Sequence, residues 1–130
     1  METGLRTTRL DPPGNCKREL LVAEVNNIVI GFIHYVMHED IIDGGLNSFI
    51  TAFYVSPDHR GKGVGTRLLE ESIADSLSMG AVGVETSTIF ASAKRLYERH
   101  HFKETWGDIG GVFVELDLPQ YLHAKKKENA

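Results

Sequence analysis

The sequence predicts a single α/β domain, and three observations carry that expectation. Residues 47–55 are dense in β-branched and aromatic side chains, the composition of a strand. Residues 60–66, RGKGVGT, form a glycine-rich turn that runs into Leu68, Leu69, Ile73 and Leu77, an apolar stripe at helical spacing. Strand-like and helix-like runs then alternate to about residue 118, and 130 residues suffice for one domain with one core.

Each element follows from its own residues. Residues 1–17 hold two prolines, two glycines and little periodicity, and read as an irregular arm. The runs 18–25 and 28–37 are strands joined by Asn26-Asn27, because asparagine tolerates the left-handed backbone that a two-residue hairpin needs. Residues 39–46 are an acidic, glycine-containing loop. In the strand 47–55 both alternating faces are apolar, with Phe49, Phe53 and Val55 on one and Ile50, Ala52 and Tyr54 on the other; such a strand belongs inside a covered sheet. Pro57 ends it, lacking an N–H for the ladder. The helix after the glycine turn runs to about Met79 and stops at Gly80. A short strand, 81–86, precedes a second helix over 90–101 that gathers Phe90, Ala93, Leu96, Tyr97 and His100 on one face. Two strands, 102–106 and 112–118, are parted by GDIGG, and residues 119–130 read as a mobile basic tail.

Composition excludes several classes. At 42% hydrophobic and 25% charged the chain is globular. The lone cysteine, Cys16, forbids an intrachain disulfide. No apolar run approaches the roughly 20 residues of a membrane span, and the N-terminus is not a signal peptide, so the expectation is a soluble, cytoplasmic protein. The net charge is −4, and the tail contributes +2, leaving −6 on the body. A body that acidic holds nucleic acid poorly and suits a cationic acceptor such as an amine.

The glycine turn is the chemical focus. A helix N-terminus ordinarily attracts acidic side chains, yet this one is flanked by Arg60, Lys62 and Arg67, with the first helical acids at Glu70 and Glu71. Three glycines leave main-chain N–H groups uncovered, so the turn suits an anion, phosphate above all; the alternative is a tight turn with solvated charges. It is not a Walker loop, because Gly63 follows Lys62 where serine or threonine is required, and its G-x-G-x-G spacing is not the dinucleotide fingerprint.

Arg60, Gly63 and Gly65 fill the pattern (Arg/Gln)-x-x-Gly-x-(Gly/Ala), which resembles the acyl-CoA loop of the GNAT superfamily of N-acetyltransferases. About thirty residues on, AKRLYERHHF at 93–102 resembles the A-x-x-L-Y-x-x-x-G-F that closes a helix in many members, with His101 in place of the glycine. The element order is similar as well, over about residues 18–118. The resemblance implies a mixed, mostly antiparallel central sheet flanked by helices, with the family's N-terminal helices missing or shortened. It implies acetyl-CoA as co-substrate, its pyrophosphate cradled by Arg60, Gly61, Lys62, Gly63, Val64, Gly65 and Thr66. Its pantetheine arm would lie along Phe53, Tyr54 and Val55, with an N–H near Val55 as oxyanion donor. Phe90 stands where many members carry an asparagine and would pack against the same arm.

Tyr97, on its residues alone, is a tyrosine packed on an apolar helix face; the resemblance makes it the general acid that protonates the departing thiolate. The family's strand glutamate is absent. Glu85 is the first candidate for the general base, followed by Glu39 and Asp40, with ordered water as an alternative. No metal site is expected: His34 and His38 share a strand face, but four residues at ~3.3 Å separate them by ~13 Å, too far for one zinc ion bonded at ~2 Å. The expected activity is transfer of an acetyl group to an amine of a small molecule or protein. The competing reading is a non-catalytic acyl-CoA-binding sensor, and the missing N-terminal wall makes a homodimer a candidate assembly.

Overall fold

The computed structural model describes residues 4–10, 18–39, 44–88, 90–108 and 111–128. Asp40, Cys16 and the first residues of the arm lie outside them. Seven strands form one sheet: β1 (Arg6–Leu10), β2 (Arg18–Val25), β3 (Ile28–Glu39), β4 (Leu46–Val55), β5 (Ala81–Thr88), β6 (Lys103–Asp108) and β7 (Gly111–Asp117). Three α-helices join them: α1 (Val64–Ser78), α2 (Ala91–Arg99) and α3 (Leu118–Glu128). The spatial order is β1-β2-β3-β4-β5-β7-β6. Among these pairings only β4 with β5 is parallel, since α1 carries the chain back across the sheet between them.

The hairpin between β2 and β3 turns on Asn26 (φ +52°) and Asn27 (φ +65°), the two left-handed positions such a turn demands. Val64, Leu68, Leu69 and Ile73 of α1 are buried against Ile33 and Tyr35 of β3, and the same apolar cluster takes in Val84, Tyr97, Phe102, Leu116 and Leu118. At roughly 1.5–3 kcal/mol for each large aliphatic side chain removed from water, this layer is the main source of stability.

Two expectations are corrected. Within the supposed irregular arm, residues 6–10 form the edge strand β1, paired antiparallel with β2. Its sequence, RTTRL, offers no apolar alternation because polar contacts hold it. Arg9 pairs with Asp75 on α1, Thr7 donates to Glu71 at 2.6 Å, and Arg6 bonds Glu24 at 2.9 Å. The supposed mobile tail is helix over 118–128, anchored by buried Leu118 and Tyr121. Two apolar contacts beside a run of lysines leave too little periodicity to read.

The central strand also departs from strict alternation. Its register with β3 steps from Tyr35↔Ile50 to His34↔Ala52, so Thr51 is an extra residue, a β-bulge. Burial follows Ser48 and Ile50 before the bulge and Phe53 and Val55 after it. Phe49 and Phe53, expected on one face, therefore belong to different ones.

Candidate active site

The parallel ladder between β4 and β5 runs from Leu46↔Ala81 to Phe49↔Glu85 and stops, although β4 continues to Val55 and β5 to Thr88. Beyond Phe49 the strands diverge. The Thr86 hydroxyl closes the apex by donating to the Ile50 carbonyl at 3.0 Å. Above it opens a cavity of about 330 Å³ lined by Phe49 through Phe53 from β4, by Thr86, Ser87 and Thr88 from β5, and by Phe90, Ala93 and Tyr97 at α2. Among the described residues, the divergence leaves the β5-facing main-chain edge of residues 50–55 without a strand partner.

The glycine turn stands at one end of this cavity. A short 3-10 turn, Pro57–His59, leads to Arg60, and Gly61 (φ +75°) and Gly63 (φ +86°) both occupy the left-handed region. Nothing lies within 4 Å of a Cβ built on either, so the backbone is open on that side. Gly63 is the N-cap of α1, no side chain caps it, and no acid occupies the first turn. The first helical bond runs from the Arg67 N–H to the Gly63 carbonyl at 3.0 Å, which leaves the Val64, Gly65 and Thr66 N–H groups ahead of the helical ladder. A Cβ on Gly65 would meet Phe53, Val55 and Leu96 at 3.6 Å, which places the turn directly against the cavity wall. Uncapped N–H groups and an unneutralised dipole are what an anion binds.

Tyr97 reaches the cavity from the other wall. It is only 3% exposed and packs between Phe53 (ring centroids 6.2 Å apart) and Phe102 (5.2 Å). Its position is set by how α2 ends. His101 takes φ +72°, the Phe102 N–H bonds the Tyr97 carbonyl at 3.1 Å, and the His101 N–H bonds the Glu98 carbonyl at 3.1 Å. This is the Schellman arrangement, with its apolar contact supplied by Tyr97 and Phe102, and it explains why glycine suits the His101 position. Burial pushes the Tyr97 hydroxyl above the ordinary tyrosine range, and its hydrogen bond with Thr86 pulls the other way. At neutral pH it keeps its proton.

The model of the family described as "Acetyltransferase (GNAT) domain" matches residues 16–104. The chain belongs to the GNAT acetyltransferase family. No curated protein matches its sequence. Among solved structures, it is similar to the PaiA N-acetyltransferase from Thermoplasma acidophilum, crystallised with coenzyme A, at 18% identity and a TM-score of 0.69. That likeness covers 78% of this chain and 61% of the Thermoplasma chain, so this sequence spans under two thirds of that relative. The ribosomal-protein-S18-alanine N-acetyltransferase from Escherichia coli is similar at 19% identity and TM-score 0.63, covering 78% and 70% of the two chains. A chain of the NatC complex bound to Gag peptide and coenzyme A gives 22% identity and TM-score 0.68, covering 75% and 70%. At these identities the likenesses establish a shared fold.

In this GNAT domain the remaining sequence-derived residues fall in three places. Phe53, Tyr54 and Val55 are the last turnless stretch of β4, paired to β3 on one side only. Arg60 folds back on them: its Nε donates to the Val55 carbonyl at 2.9 Å and its guanidinium lies 5.7 Å from the Tyr54 ring centre. Phe90 is the extended N-cap residue of α2, 66% exposed on the cavity rim, with its N–H bonded to the Thr88 hydroxyl at 3.1 Å. Glu85 is elsewhere. Its carboxylate meets His38 Nε2 at 2.8 Å across the sheet, and it is not among the residues lining the cavity.

One contact escaped the sequence reading. His34 Nδ1 hydrogen-bonds the hydroxyl of Thr51, the bulge residue, which itself lines the cavity. The two are 17 positions apart, and the pairing of β3 with β4 brings them together, the bulge setting both Thr51 and Ala52 opposite His34. Among the described residues no group of three His, Cys, Asp or Glu is placed to hold a metal, and no helix is long and apolar enough to cross a membrane.

Proposed function

We propose that this protein is an acetyl-CoA-dependent N-acetyltransferase that passes the acetyl group directly to an amine of a small molecule or a protein. The observation that carries this reading is the diverging β4–β5 pair, with an open main-chain edge on one side, an uncapped glycine turn at one end and a buried, protonated tyrosine facing in. An extended pantetheine arm would take the place of the missing ladder beside Phe53, Tyr54 and Val55, as peptides add to sheet edges, with Phe90 packing on it. The pyrophosphate would sit on the N–H groups of the 60–66 turn. The amine nitrogen attacks the thioester carbonyl, a main-chain N–H near Val55 receives the developing oxyanion, and the carbon–sulfur bond breaks. Tyr97 then gives its proton to the departing thiolate.

Calorimetric titration with acetyl-CoA, run beside detection of free thiol with and without mixed amines, tests this reading. Binding with amine-dependent thiol release supports it. Binding without release selects a non-catalytic acyl-CoA-binding module, and absence of binding overturns the role given to the glycine turn.

A further inference from the structure

Direct transfer involves two proton movements, and Tyr97 accounts for only one. An amine of the lysine type has a pKa near 10.4 and arrives as an ammonium ion at neutral pH. It must lose a proton before its lone pair can attack. No carboxylate and no charged side chain lines the cavity among the described residues. The lining offers hydroxyls instead. Thr86 is committed to the Ile50 carbonyl and to Tyr97, and Thr88 accepts from the Phe90 N–H. Thr51 is the one that contacts an imidazole.

From this geometry we propose, resting on the transferase reading above, that Thr51 and His34 form the proton exit for the acceptor amine. Thr51, at the bulge, lines the cavity, and its hydroxyl contacts His34. The hydroxyl also donates to the His34 carbonyl in a longer bond of 3.3 Å, so its single proton is shared between that oxygen and Nδ1 and turns wholly to Nδ1 in the step. In the step, an ammonium N–H bond breaks as its proton passes to Thr51 Oγ1. The Thr51 O–H proton passes in the same event to His34 Nδ1, whose lone pair forms the new N–H bond. The amine is left neutral, the hydroxyl is regenerated, and the imidazole becomes imidazolium. His34 is only half-buried and returns the proton to water. Imidazole suits this task because it changes charge between about pH 5 and 8. Thr51 is the residue that touches the acceptor, and His34 is a positioning and proton-storing residue behind it.

The charged and titratable groups sharing this face among the described residues include Arg18 on β2, two positions from the His34 partner Leu20, His38 on β3, Tyr54 on β4 two positions from the His34 partner Ala52, with Arg60 against its ring, and Glu85 on β5 with its β7 partner Glu115. His38 and Glu85 bind each other at 2.8 Å, so neither competes for Thr51.

The test uses the full chain with acetyl-CoA and, as acceptor probes, spermidine, Nα-acetyl-lysine methyl ester and a short peptide with a free N-terminus. H34N keeps a hydrogen bond to Thr51 but cannot store a proton, T51V removes the hydroxyl at constant shape, and T51S restores it. H34N and T51V should each lower kcat/KM about 100-fold with acetyl-CoA affinity unchanged. The double variant should be no slower than either single one, and T51S should recover most of the rate. In H34N the acid limb of kcat/KM against pH should vanish, leaving a rate that climbs toward the pKa of the amine itself. Independently of any acceptor, nitrogen NMR of the His34 ring should show Nδ1 unprotonated in the neutral form, with its resonance shifted in T51V. A protonated Nδ1 in the neutral ring, or wild-type rates and pH profile in H34N, overturns the relay while leaving the transferase intact. A wild-type chain that releases no thiol with any probe overturns both.

Discussion

Tyr97 and Gly63 hold the two ends of the proposed reaction, and each fails in its own way. Removing one hydroxyl from a ring wedged between Phe53 and Phe102 leaves the packing in place. Tyr97→Phe should therefore lower turnover by about 100-fold, the scale of general acid catalysis, while calorimetry finds coenzyme A affinity within a factor of two or so of wild type. Equal turnover would remove the acid from the mechanism. At Gly63 no neighbour stands within 4 Å of a new Cβ, and the obstacle is the backbone, since φ +86° costs a side chain about 1–2 kcal/mol. Gly63→Ala carries that strain alone; Gly63→Asp adds a carboxylate where the anion would sit. Acetyl-CoA binding should survive weakened in the alanine variant and be lost in the aspartate variant. Retained affinity in Gly63→Asp would show that the phosphates bind elsewhere.

At the level of elements, what was legible in the sequence was whatever local chemistry dictates. Asn26-Asn27, the glycines at 61, 63 and 80 and the α1 stripe each act within a few residues, and all stand where expected. What escaped depends on distant partners. The strand β1 is held by Arg9 reaching Asp75, 66 positions away, and no pattern in RTTRL announces it. The bulge at Thr51 and its contact with His34 are relations between two strands, invisible in either alone. Glu85 was chosen for its place at a strand end, yet the register hands it to His38. The clamp between β1 and α1 makes a prediction of its own. Asp75 accepts from the buried Tyr35 hydroxyl at 2.5 Å and from Arg9, which is half-exposed and contributes less. Asp75→Ala should cost about 2 kcal/mol, chiefly the stranded Tyr35 hydroxyl, read as a lower urea midpoint. Hydrogen exchange should quicken first in β1, and Asp75→Asn should recover part of the loss.

Across the whole molecule, three tyrosines share one electrostatic fate. Burial raises Tyr35, Tyr97 and Tyr121 above the ordinary tyrosine value of 10.0, and for Tyr35 the bond to Asp75 adds to it. Once the pH exceeds about 10, the unfolded chain releases these protons while the folded chain keeps them. The folded state then binds more protons, so stability falls as pH rises. Below that pH the contribution is intact. The urea midpoint should accordingly hold steady from neutral pH to the edge of this window and decline beyond it. In a Tyr54→Phe background, which removes the one exposed tyrosine of the four, phenolate absorbance should appear together with unfolding rather than ahead of it. Tyrosinate formation in that folded variant would contradict this account.

The single extra residue at Thr51 gives β4 a parity. Before it, even-numbered side chains face the core; after it, odd-numbered ones do. Such a strand forgives a change of count at one place only. Deleting Thr51 would restore regular alternation and leave Phe53 and Val55 on the face that meets Gly65. What that deletion removes is the extra residue itself, and with it the hydroxyl that contacts His34. Deleting a residue on either side of the bulge would instead turn the side chains beyond it to the wrong face. Relatives of this chain should then differ in length at the bulge more readily than anywhere else in the strand.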